Sequence, residues 1–448
     1  MLLEGWDLGV KTLGPPRIDS PLAGLLAGRR STHNYADEGD RILVDDTLAM
    51  ATGRGMAVQD LPGFEAGGPR RKIFFDPSKT RVGIVTCGGL CPGLNNVIRG
   101  LVMELTLHYG VRRIMGFRNG YQGFVARYGH PVMDLDATVV RDINEEGGTI
   151  LGSSRGQQDP EEIVDCLEQL GISILFVIGG DGSLHGAQTI AAVVADRGLR
   201  IAIVGIPKTI DNDIPFIDHS FGFRTAFSRA TESIRAAHIE ARSAPNGVGL
   251  VKLMGRHSGF IACYAALAKN DADYVLIPEV PFALDGEDGF LAHLRHRVAS
   301  RGYAVIIAAE GAGQEHLAGE PAGADASGNV KLHDFVALLQ HRIAEDFADH
   351  AMELNLKSLN PSYVIRSVPA NAYDSVYCVR LAHAAVHAAM AGRTEVVVGR
   401  WHGRFVHIPI AVAISRRSTV DPDGDLWLSV LEATGQPARM GRDIPVPA

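Results

Sequence analysis

The sequence predicts an α/β protein with two Rossmann-like domains of mainly parallel sheets covered by helices, preceded by an irregular N-terminal extension. Two observations predict this class. From Arg81 onward, short apolar runs alternate with longer helical segments, and the apolar runs are nearly continuous in valine, isoleucine and leucine. Strands of that composition are typical of parallel sheets that are buried on both faces.

The predicted strands share this apolar composition, and they are 82–86 (VGIVT), 113–117 (RIMGF), 172–179 (ISILFVIG), 200–206 (RIAIVGI), 247–254 (GVGLVKLM), 272–278 (ADYVLIP) and 303–311 (YAVIIAAEG). Predicted helices between them include 92–106, 181–197 and 221–242. In such sheets ligands bind beyond the carboxyl ends of the strands. The residues that follow each strand are therefore the candidates for a functional site.

The first 78 residues lack this alternation and contain loop-forming segments such as LGPPRIDSPLAG. We expect an extension that wraps the first domain or a neighbouring subunit. The remaining chain predicts a first domain over 79–222, completed by about 376–425, and a second domain over 223–375. The last segment, 426–448, is predicted to be a C-terminal tail.

The composition indicates a globular protein without a polyanionic or membrane partner. Apolar residues make up 46% of the 448 residues, charged residues 21%, and the formal net charge is −8. Such a chain offers neither a nucleic-acid surface nor a basic membrane patch, and no apolar run approaches the ~20 residues of a membrane helix. The five cysteines are scattered and lack zinc-ligand spacing, so we expect reduced thiols and a cytoplasmic location.

The first strand is followed by CGGLCPGLNN, residues 87–96, ahead of a predicted helix. Gly88, Gly89 and Gly93 allow the backbone to come close to a ligand, and Pro92 suits the first turn of a helix. Free N–H groups at a helix start favour phosphate. The alternative is a tight turn that binds nothing.

A second candidate is the flexible segment GGTILGSSRG, residues 147–156, which ends in Arg155 and Gly156. An arginine presented by a glycine-rich loop suits the geometry of a phosphate group. The alternative is an ordinary surface arginine.

The strand 172–179 runs into GGDGS, in which Gly179, Gly180 and Gly182 surround Asp181. A carboxylate among glycines is suited to hold Mg²⁺ through water, with phosphate oxygens completing the coordination shell. Asp181 could instead serve only as a helix N-cap, although a cap does not require three surrounding glycines.

The strand 200–206 is followed by PKTIDNDI, residues 207–214. Thr209, Asp211 and Asp213 alternate along an extended segment, so they can face the same way. Phosphoryl transfer from a nucleotide to an alcohol requires a metal, cations for the transferred group and a carboxylate that takes the hydroxyl proton. One aspartate could be that base and the other could organise the metal or the base. The alternative is a polar turn.

Eight segments in order resemble motifs of the phosphofructokinase family, over roughly Arg81 to Gly403. They are GGLCPGLNNVIRG, GGTILGSSRG, GGDGS, PKTIDNDI, VKLMGRHSGFIA, IPEVPF, AEGAGQE and YVIRSVPANAYD. The resemblance is greatest to the plant-type and kinetoplastid ATP-dependent branch, which shares GLCPG, PKTIDND and VKLMGR. It implies an ATP-dependent 6-phosphofructokinase of glycolysis that uses Mg²⁺, and a homodimer or homotetramer.

The resemblance also implies residue roles, with ATP bound by the first domain and the sugar phosphate by the second. The ATP-binding residues would be Gly89, Arg155, Gly156, Gly180, Asp181, Gly182 and Ser183, with Asp181 on the metal. The residues for fructose 6-phosphate would be Thr209, Ile210, Asp211, Met254, Gly255, Arg256, Glu310, Tyr363 and Arg366. The catalytic residues would be Asp211, Asp213, Arg256 and Thr209. Asp211 would be the base, Asp213 would hold the local geometry and assist the metal, and Arg256 would stabilise the transferring phosphoryl group.

Two positions speak to the phosphoryl donor. Gly182 leaves room for the α-phosphate of a nucleotide, where pyrophosphate-dependent members of the family typically carry an aspartate. Lys208 is typical of pyrophosphate users, but the plant-type ATP branch combines this glycine with this lysine. The pair therefore favours ATP.

Other functions remain open at the level of the sequence. They are a pyrophosphate-dependent enzyme, a kinase for another phosphosugar such as sedoheptulose 7-phosphate, and an inactive regulatory subunit. Against the last, Asp181, Asp211, Asp213 and Arg256 are all present. A Rossmann-type dehydrogenase is disfavoured because GGLCPG lacks the G-x-G-x-x-G spacing.

Overall fold

A computed structural model describes residues 6–26, 35–48, 57, 60–317, 323 and 331–441. The chain divides into two compact units. The first comprises 1–209, 214–222 and 368–416, and the second comprises 210–213, 223–367 and 417–448. The domain limits predicted from the sequence stay a prediction, because compactness alone does not define a domain that folds independently.

The strands of the described residues, numbered in chain order, are β1 (Lys11–Thr12), β2 (Ile18–Asp19), β3 (Arg41–Leu43), β4 (Gly63–Ala66), β5 (Lys72–Ile73), β6 (Arg81–Thr86), β7 (Arg113–Phe117), β8 (Met133–Asp134), β9 (Ile174–Gly179), β10 (Ala202–Pro207), β11 (Gly247–Leu253), β12 (Tyr274–Leu276), β13 (Tyr303–Ala309), β14 (Asn355–Leu359), β15 (Arg393–Thr394), β16 (Val396–Trp401) and β17 (Arg404–Pro409).

The α-helices of the same residues are α1 (Ala23–Leu26), α2 (Leu94–Met103), α3 (Pro160–Gln169), α4 (Asp181–Asp196), α5 (Phe223–Arg242), α6 (Phe260–Lys269), α7 (Phe290–Arg301), α8 (Phe335–Asp349), α9 (Ser362–Arg366), α10 (Ala372–Met390), α11 (Ile410–Ala413) and α12 (Asp425–Thr434). A π-helical segment, Glu104–Tyr109, continues α2, and short 3-10 turns lie in the loops. None of the helices in the described part of the chain is long and apolar enough to cross a bilayer.

The first unit is built on a sheet to which nine described strands contribute, in the order β3-β4-β17-β16-β10-β9-β6-β7-β8. The central strands β16, β10, β9, β6 and β7 are parallel to one another, and the outer pairs are antiparallel. Every residue of β9 and β10 is buried, as expected for strands covered on both faces. The carboxyl ends of β6, β9 and β10 consequently lie side by side.

The second unit contains a wholly parallel sheet in the order β12-β13-β11-β14. Its core joins strand residues such as Leu250 and Ile306 to helix residues such as Leu294 and Leu339, all fully buried. The predicted strands and helices of both units are confirmed, with ends that differ by a few residues. The α/β class with mainly parallel sheets is confirmed as well.

The N-terminal extension contributes strands that the sequence pattern does not indicate. β4 pairs with β17 and β3 pairs with β4, which lengthens the main sheet of the first unit. Glu65 of β4 is buried and accepts hydrogen bonds from Arg70 at 2.9 Å and Arg393 at 3.0 Å. A buried ion cluster therefore ties the extension to the first unit, as the wrapping prediction requires.

Candidate active site

The predicted site residues fall into two groups, one in each unit. The first group lies at the ends of the neighbouring strands β6, β9 and β10. The Gly-rich turn after β6 is joined to the ends of β9 and β10: Cys87 N donates to Ile178 O of β9 at 2.9 Å, and the ammonium of Lys208, which follows β10, donates to Gly89 O at 2.6 Å. Lys208 is buried, so it fixes the turn from within.

The turn itself depends on glycine at two positions. Gly88 and Gly93 have φ values of 84° and 100°, a conformation that other residues adopt only with strain. A Cβ on Gly93 would also lie 2.7 Å from the Cys378 sulfur. The fold of the turn therefore explains why glycine is required at positions 88 and 93. Gly89 has no such requirement; its carbonyl accepts a hydrogen bond from Lys208, and its Cα lies near Arg155.

Arg155 is exposed and its guanidinium lies beside that turn. A Cβ built on Gly89 would be 3.9 Å from the Arg155 Nη2 atom. The loop that carries Arg155 is tied to the turn, because Gly88 N donates to Ser154 O at 3.1 Å and Ser153 Oγ donates to Gly88 O at 2.5 Å. The two glycine-rich segments of the sequence thus form one cationic cradle.

Asp181 is the first residue of α4, and Gly180 is its N-cap. The alternative that Asp181 serves as the cap is therefore wrong. The carboxylate is partly exposed, with Oδ1 3.5 Å from Nδ1 of His185. A Cβ built on Gly182 would meet nothing within 4 Å, so the space beside the helix start is open.

A cavity of about 200 Å³ lies beside α4, and the sequence analysis does not identify its lining. Tyr121 donates to Ser183 O at 2.6 Å, and Gln157 donates to Gly182 O at 3.1 Å. A Cβ on Gly186 would lie 2.7 Å from the Tyr121 ring and 3.1 Å from Gln157 Oε1. The cavity therefore requires glycine at that position, and Gly186, the fourth glycine of GGDGSLHG, is the one signal that the sequence contains.

The segment PKTIDNDI is divided between the two units. Lys208 and Thr209 belong to the first unit, where Ser220 donates a hydrogen bond to Thr209 O. The residues from Ile210 to Asp213 belong to the second unit, and the chain returns to the first at Ile214.

In the second unit, the ends of the neighbouring strands β11 and β13 carry Met254, Gly255, Arg256 and Glu310. Glu310 N donates to Leu253 O at 2.8 Å, and Gly311 N donates to Gly255 O at 3.1 Å. Gly255 has a φ of 130°, and a Cβ on Gly311 would lie 2.1 Å from Arg256 O. These glycines let the two loops approach each other, which places Arg256 and Glu310 at one edge of the sheet.

Asp211 joins this edge. Ser258 donates to Asp211 O at 2.9 Å, and the side chain is partly buried. Burial raises the pKa of the Asp211 carboxyl to about 7, and the charges of Asp213 and Glu310 act in the same direction. The backbone N–H of Arg256 and the charge of Arg417 lower this pKa. The result is a carboxylate poised near neutral pH, a property typical of general bases.

Arg417 is a residue that the sequence analysis misses. Its guanidinium donates to Asp213 Oδ2 at 2.6 Å, and Ser418 N donates to Asp213 O at 2.8 Å. Asp213 is buried, so its charge requires such a partner. Asp213 is predicted to hold the local geometry, and its partner, Arg417, lies about 200 residues away in the sequence. No local spacing of residues could indicate this pair.

Tyr363 and Arg366 lie on α9, which packs against α5 within the second unit. The Arg366 guanidinium lies 4.7 Å from the centre of the Tyr363 ring, and that ring is 74% exposed. The pair thus places a half-buried cation on an exposed aromatic ring.

Comparison with known proteins concerns the chain as a whole. The family model described as Phosphofructokinase matches residues 81–389. An ATP-dependent 6-phosphofructokinase of Amycolatopsis methanolica is 57% identical over 449 residues, which covers 98% of this chain and 97% of that protein. ATP-dependent 6-phosphofructokinase 7 of Arabidopsis thaliana is 48% identical over 380 residues, or 84% of this chain and 78% of that protein. The plant relative agrees with the branch that the motifs resemble.

A solved structure, the pyrophosphate-dependent phosphofructokinase from Marinobacter aquaeolei, has a similar fold. The TM-score is 0.65 at 21% identity, over 82% of this chain and 93% of that one. At this identity the likeness concerns the fold alone.

Proposed function

The chain belongs to the phosphofructokinase family, and on that premise we propose that it is an ATP-dependent 6-phosphofructokinase. It transfers the γ-phosphoryl group of ATP to the 1-hydroxyl of fructose 6-phosphate. The observation that carries this proposal is the environment of Asp211, which lies in the motif where the family has its base. Its carboxylate is partly buried, has a pKa of about 7, and lies near Arg256 and Glu310.

In the proposal, ATP is bound by the first unit. The cradle of Gly89, Arg155 and Gly156 takes the phosphates through backbone N–H groups and one guanidinium. Gly180, Gly182 and Ser183 at the start of α4 add the positive end of a helix dipole. The cavity lined by Tyr121 and Gly186 suits a planar base, because its walls also include the apolar side chains of Ile163 and Ile190.

Mg²⁺ fits this arrangement through Asp181. No group of three or more histidine, cysteine or acidic residues in the described chain could hold a metal by itself. Mg²⁺ is usually held by one or two carboxylates with water and substrate phosphates, and a partly exposed aspartate between two glycines satisfies that requirement. When bound, the ion would neutralise charge on the phosphates.

The sugar phosphate is bound by the second unit. Glu310 accepts hydrogen bonds from sugar hydroxyls, and Met254 and Gly255 line the sugar together with Ile210. Thr209, the residue before Ile210, is included in the proposed sugar-binding set. Tyr363 and Arg366 hold the 6-phosphate, because a guanidinium on an exposed aromatic ring suits a phosphate dianion.

The chemical step is a displacement at the γ-phosphorus. The 1-hydroxyl oxygen forms a bond to phosphorus, the bond to the β,γ-bridging oxygen breaks, and ADP leaves. The hydroxyl proton passes to the Asp211 carboxylate, and Arg256 stabilises charge on the transferred group. Arg417 holds Asp213 beside Asp211, which keeps the base oriented.

A coupled assay with purified protein, Mg²⁺ and fructose 6-phosphate tests the proposal. We expect turnover with ATP and at most a trace with pyrophosphate, because Gly182 leaves the nucleotide space open. Turnover with pyrophosphate alone would assign the donor differently. Turnover with sedoheptulose 7-phosphate but not fructose 6-phosphate would change the acceptor. No turnover with any pair would favour a regulatory subunit.

The proposal also includes a cytoplasmic homodimer or homotetramer. All five cysteines are free thiols, which agrees with a reducing compartment. Sedimentation velocity of the purified protein gives the oligomeric state directly.

A further inference from the structure

One unassigned feature of the first unit is a cavity of about 630 Å³ at the amino ends of β6, β9 and β10. Thr80, which precedes β6, Ser173, which precedes β9, and Arg200, which precedes β10 by two residues, contribute to its lining. The proposed nucleotide residues follow the carboxyl ends of the same strands. Six-residue strands separate the two ends by roughly 20 Å. The cavity is therefore a separate site.

The other walls come from the N-terminal extension and are anchored by backbone hydrogen bonds. Leu13 N donates to Gly392 O at 2.9 Å, and Arg17 N donates to Ile73 O at 3.1 Å. Phe74 N donates to Met390 O at 2.8 Å. The cavity is thus formed in advance of any ligand, and its volume falls in the range of small-molecule sites.

The charge of the lining is unbalanced. It contains three cationic side chains, Arg17, Lys79 and Arg200, and one acid, Asp76. Asp76 already accepts from Ser78 N at 3.0 Å and Ser78 Oγ at 2.7 Å, and lies 3.5 Å from the Lys79 ammonium. The side chains of Arg17 and Arg200 make no ion pair or hydrogen bond with any other described residue. Two arginines facing one preformed cavity suit a doubly charged phosphate.

The rest of the lining is apolar. Leu13, Pro15, Ile18, Phe74 and Phe75 supply an aliphatic and aromatic wall. An inorganic anion would leave this wall in contact with water, whereas a ligand with a compact ring would cover it.

We propose that this cavity is a second small-molecule site, which binds a phosphomonoester with a compact apolar or ring portion. Arg17 and Arg200 hold the phosphate, and the Phe74 wall holds the ring. The proposal does not depend on the function proposed above.

Titration calorimetry with phenyl phosphate tests it, in the presence of saturating ADP so that the nucleotide residues are occupied. We expect saturable binding with Kd below about 1 mM. The double variant R17Q/R200Q should bind at least about tenfold more weakly, because it loses both charge-assisted contacts. Both arginines are exposed, so the variant should fold, and its melting temperature checks this. R404Q, an exposed arginine of β17 outside the cavity, is the matched control and should bind like the wild type.

Two further ligands test the contributions of the ring and of the phosphate separately. Phenol should show no saturable binding, and inorganic phosphate should bind more weakly than phenyl phosphate. The proposal is overturned if the wild type does not bind phenyl phosphate, if R17Q/R200Q binds it unchanged, or if phenol binds equally well. Binding to vesicles of phosphatidic acid but not to phenyl phosphate would also overturn it, since the ligand would then be a lipid surface.

Discussion

The strand ends of the two units carry different kinds of residue. At the ends of β6, β9 and β10, the first unit offers glycine backbone, open space at Gly182 and a buried Lys208 that fixes the turn. At the ends of β11 and β13, the second unit concentrates charged side chains around Asp211. The first arrangement suits binding of a large anion through the backbone. The second suits the adjustment of one carboxylate's pKa, so we expect phosphate binding by the first arrangement and proton transfer by the second.

Removing the base should have the largest effect and should affect one unit only. Asp211→Asn is expected to lower kcat by about 10²–10⁴-fold, the usual scale for a general base. Affinity for ATP, measured by calorimetry, should stay within about twofold of wild type. Wild-type turnover in this variant would rule out the assigned base.

The Asp211→Asn variant should not unfold, because the pKa of Asp211 fixes the sign of its contribution to the free energy of unfolding. The folded-state pKa of Asp211 lies above its unfolded value, so its ionised form destabilises the folded protein above about pH 7 and the cost is absent below about pH 4. Asp211→Asn should therefore be at least as stable as wild type at pH 8. A large drop in melting temperature at that pH would contradict the pKa direction.

Filling the open space beside Gly182 should change the kinetics with the phosphoryl donor and leave the sugar site unaffected. Gly182→Asp is expected to lower kcat/KM for ATP by about 100-fold, since a carboxylate would occupy the α-phosphate position and repel it. Steady-state kinetics with ATP and with pyrophosphate measure the change. Gly39→Asp is a matched control, because a Cβ there also meets nothing within 4 Å. Unchanged ATP kinetics in Gly182→Asp would show that the donor argument is wrong.

Loss of the Asp213 partner should give a smaller change, visible mainly in pH dependence. In Arg417→Gln, the charge that lowers the pKa of Asp211 is removed, so that pKa should rise by up to about one unit and activity at pH 7 should fall by up to about fivefold. At pH 9 the variant should approach wild type. Arg416→Gln is the neighbouring control, since its guanidinium lies over Phe216 in the first unit. An unchanged pH profile would show that Arg417 does not lower the pKa of Asp211.

Much of the site could be predicted because its residues follow apolar strands. Gly88, Asp181, Lys208 and Glu310 each lie just beyond a run of buried residues, and parallel strands bring such ends together. A local pattern is sufficient for these positions.

The remaining residues depend on contacts between distant parts of the chain. Arg417 reaches Asp213 from a loop after the last strand, and Arg393 reaches Glu65 across more than 300 residues. The strands β3 and β4 are too short to show a pattern; β4 is determined by its pairing with β17, and β3 by its pairing with β4. The pKa of Asp211 likewise follows from burial, which no spacing of residues can indicate.

The pH dependence of kcat/KM for fructose 6-phosphate tests the central claim most directly. Only the ionised carboxylate can accept the hydroxyl proton, so the free enzyme loses activity as Asp211 is protonated. The account predicts a tenfold fall per pH unit below about pH 7 and a plateau above it. A profile that stays flat down to about pH 4, the ordinary range of an aspartate, would contradict it.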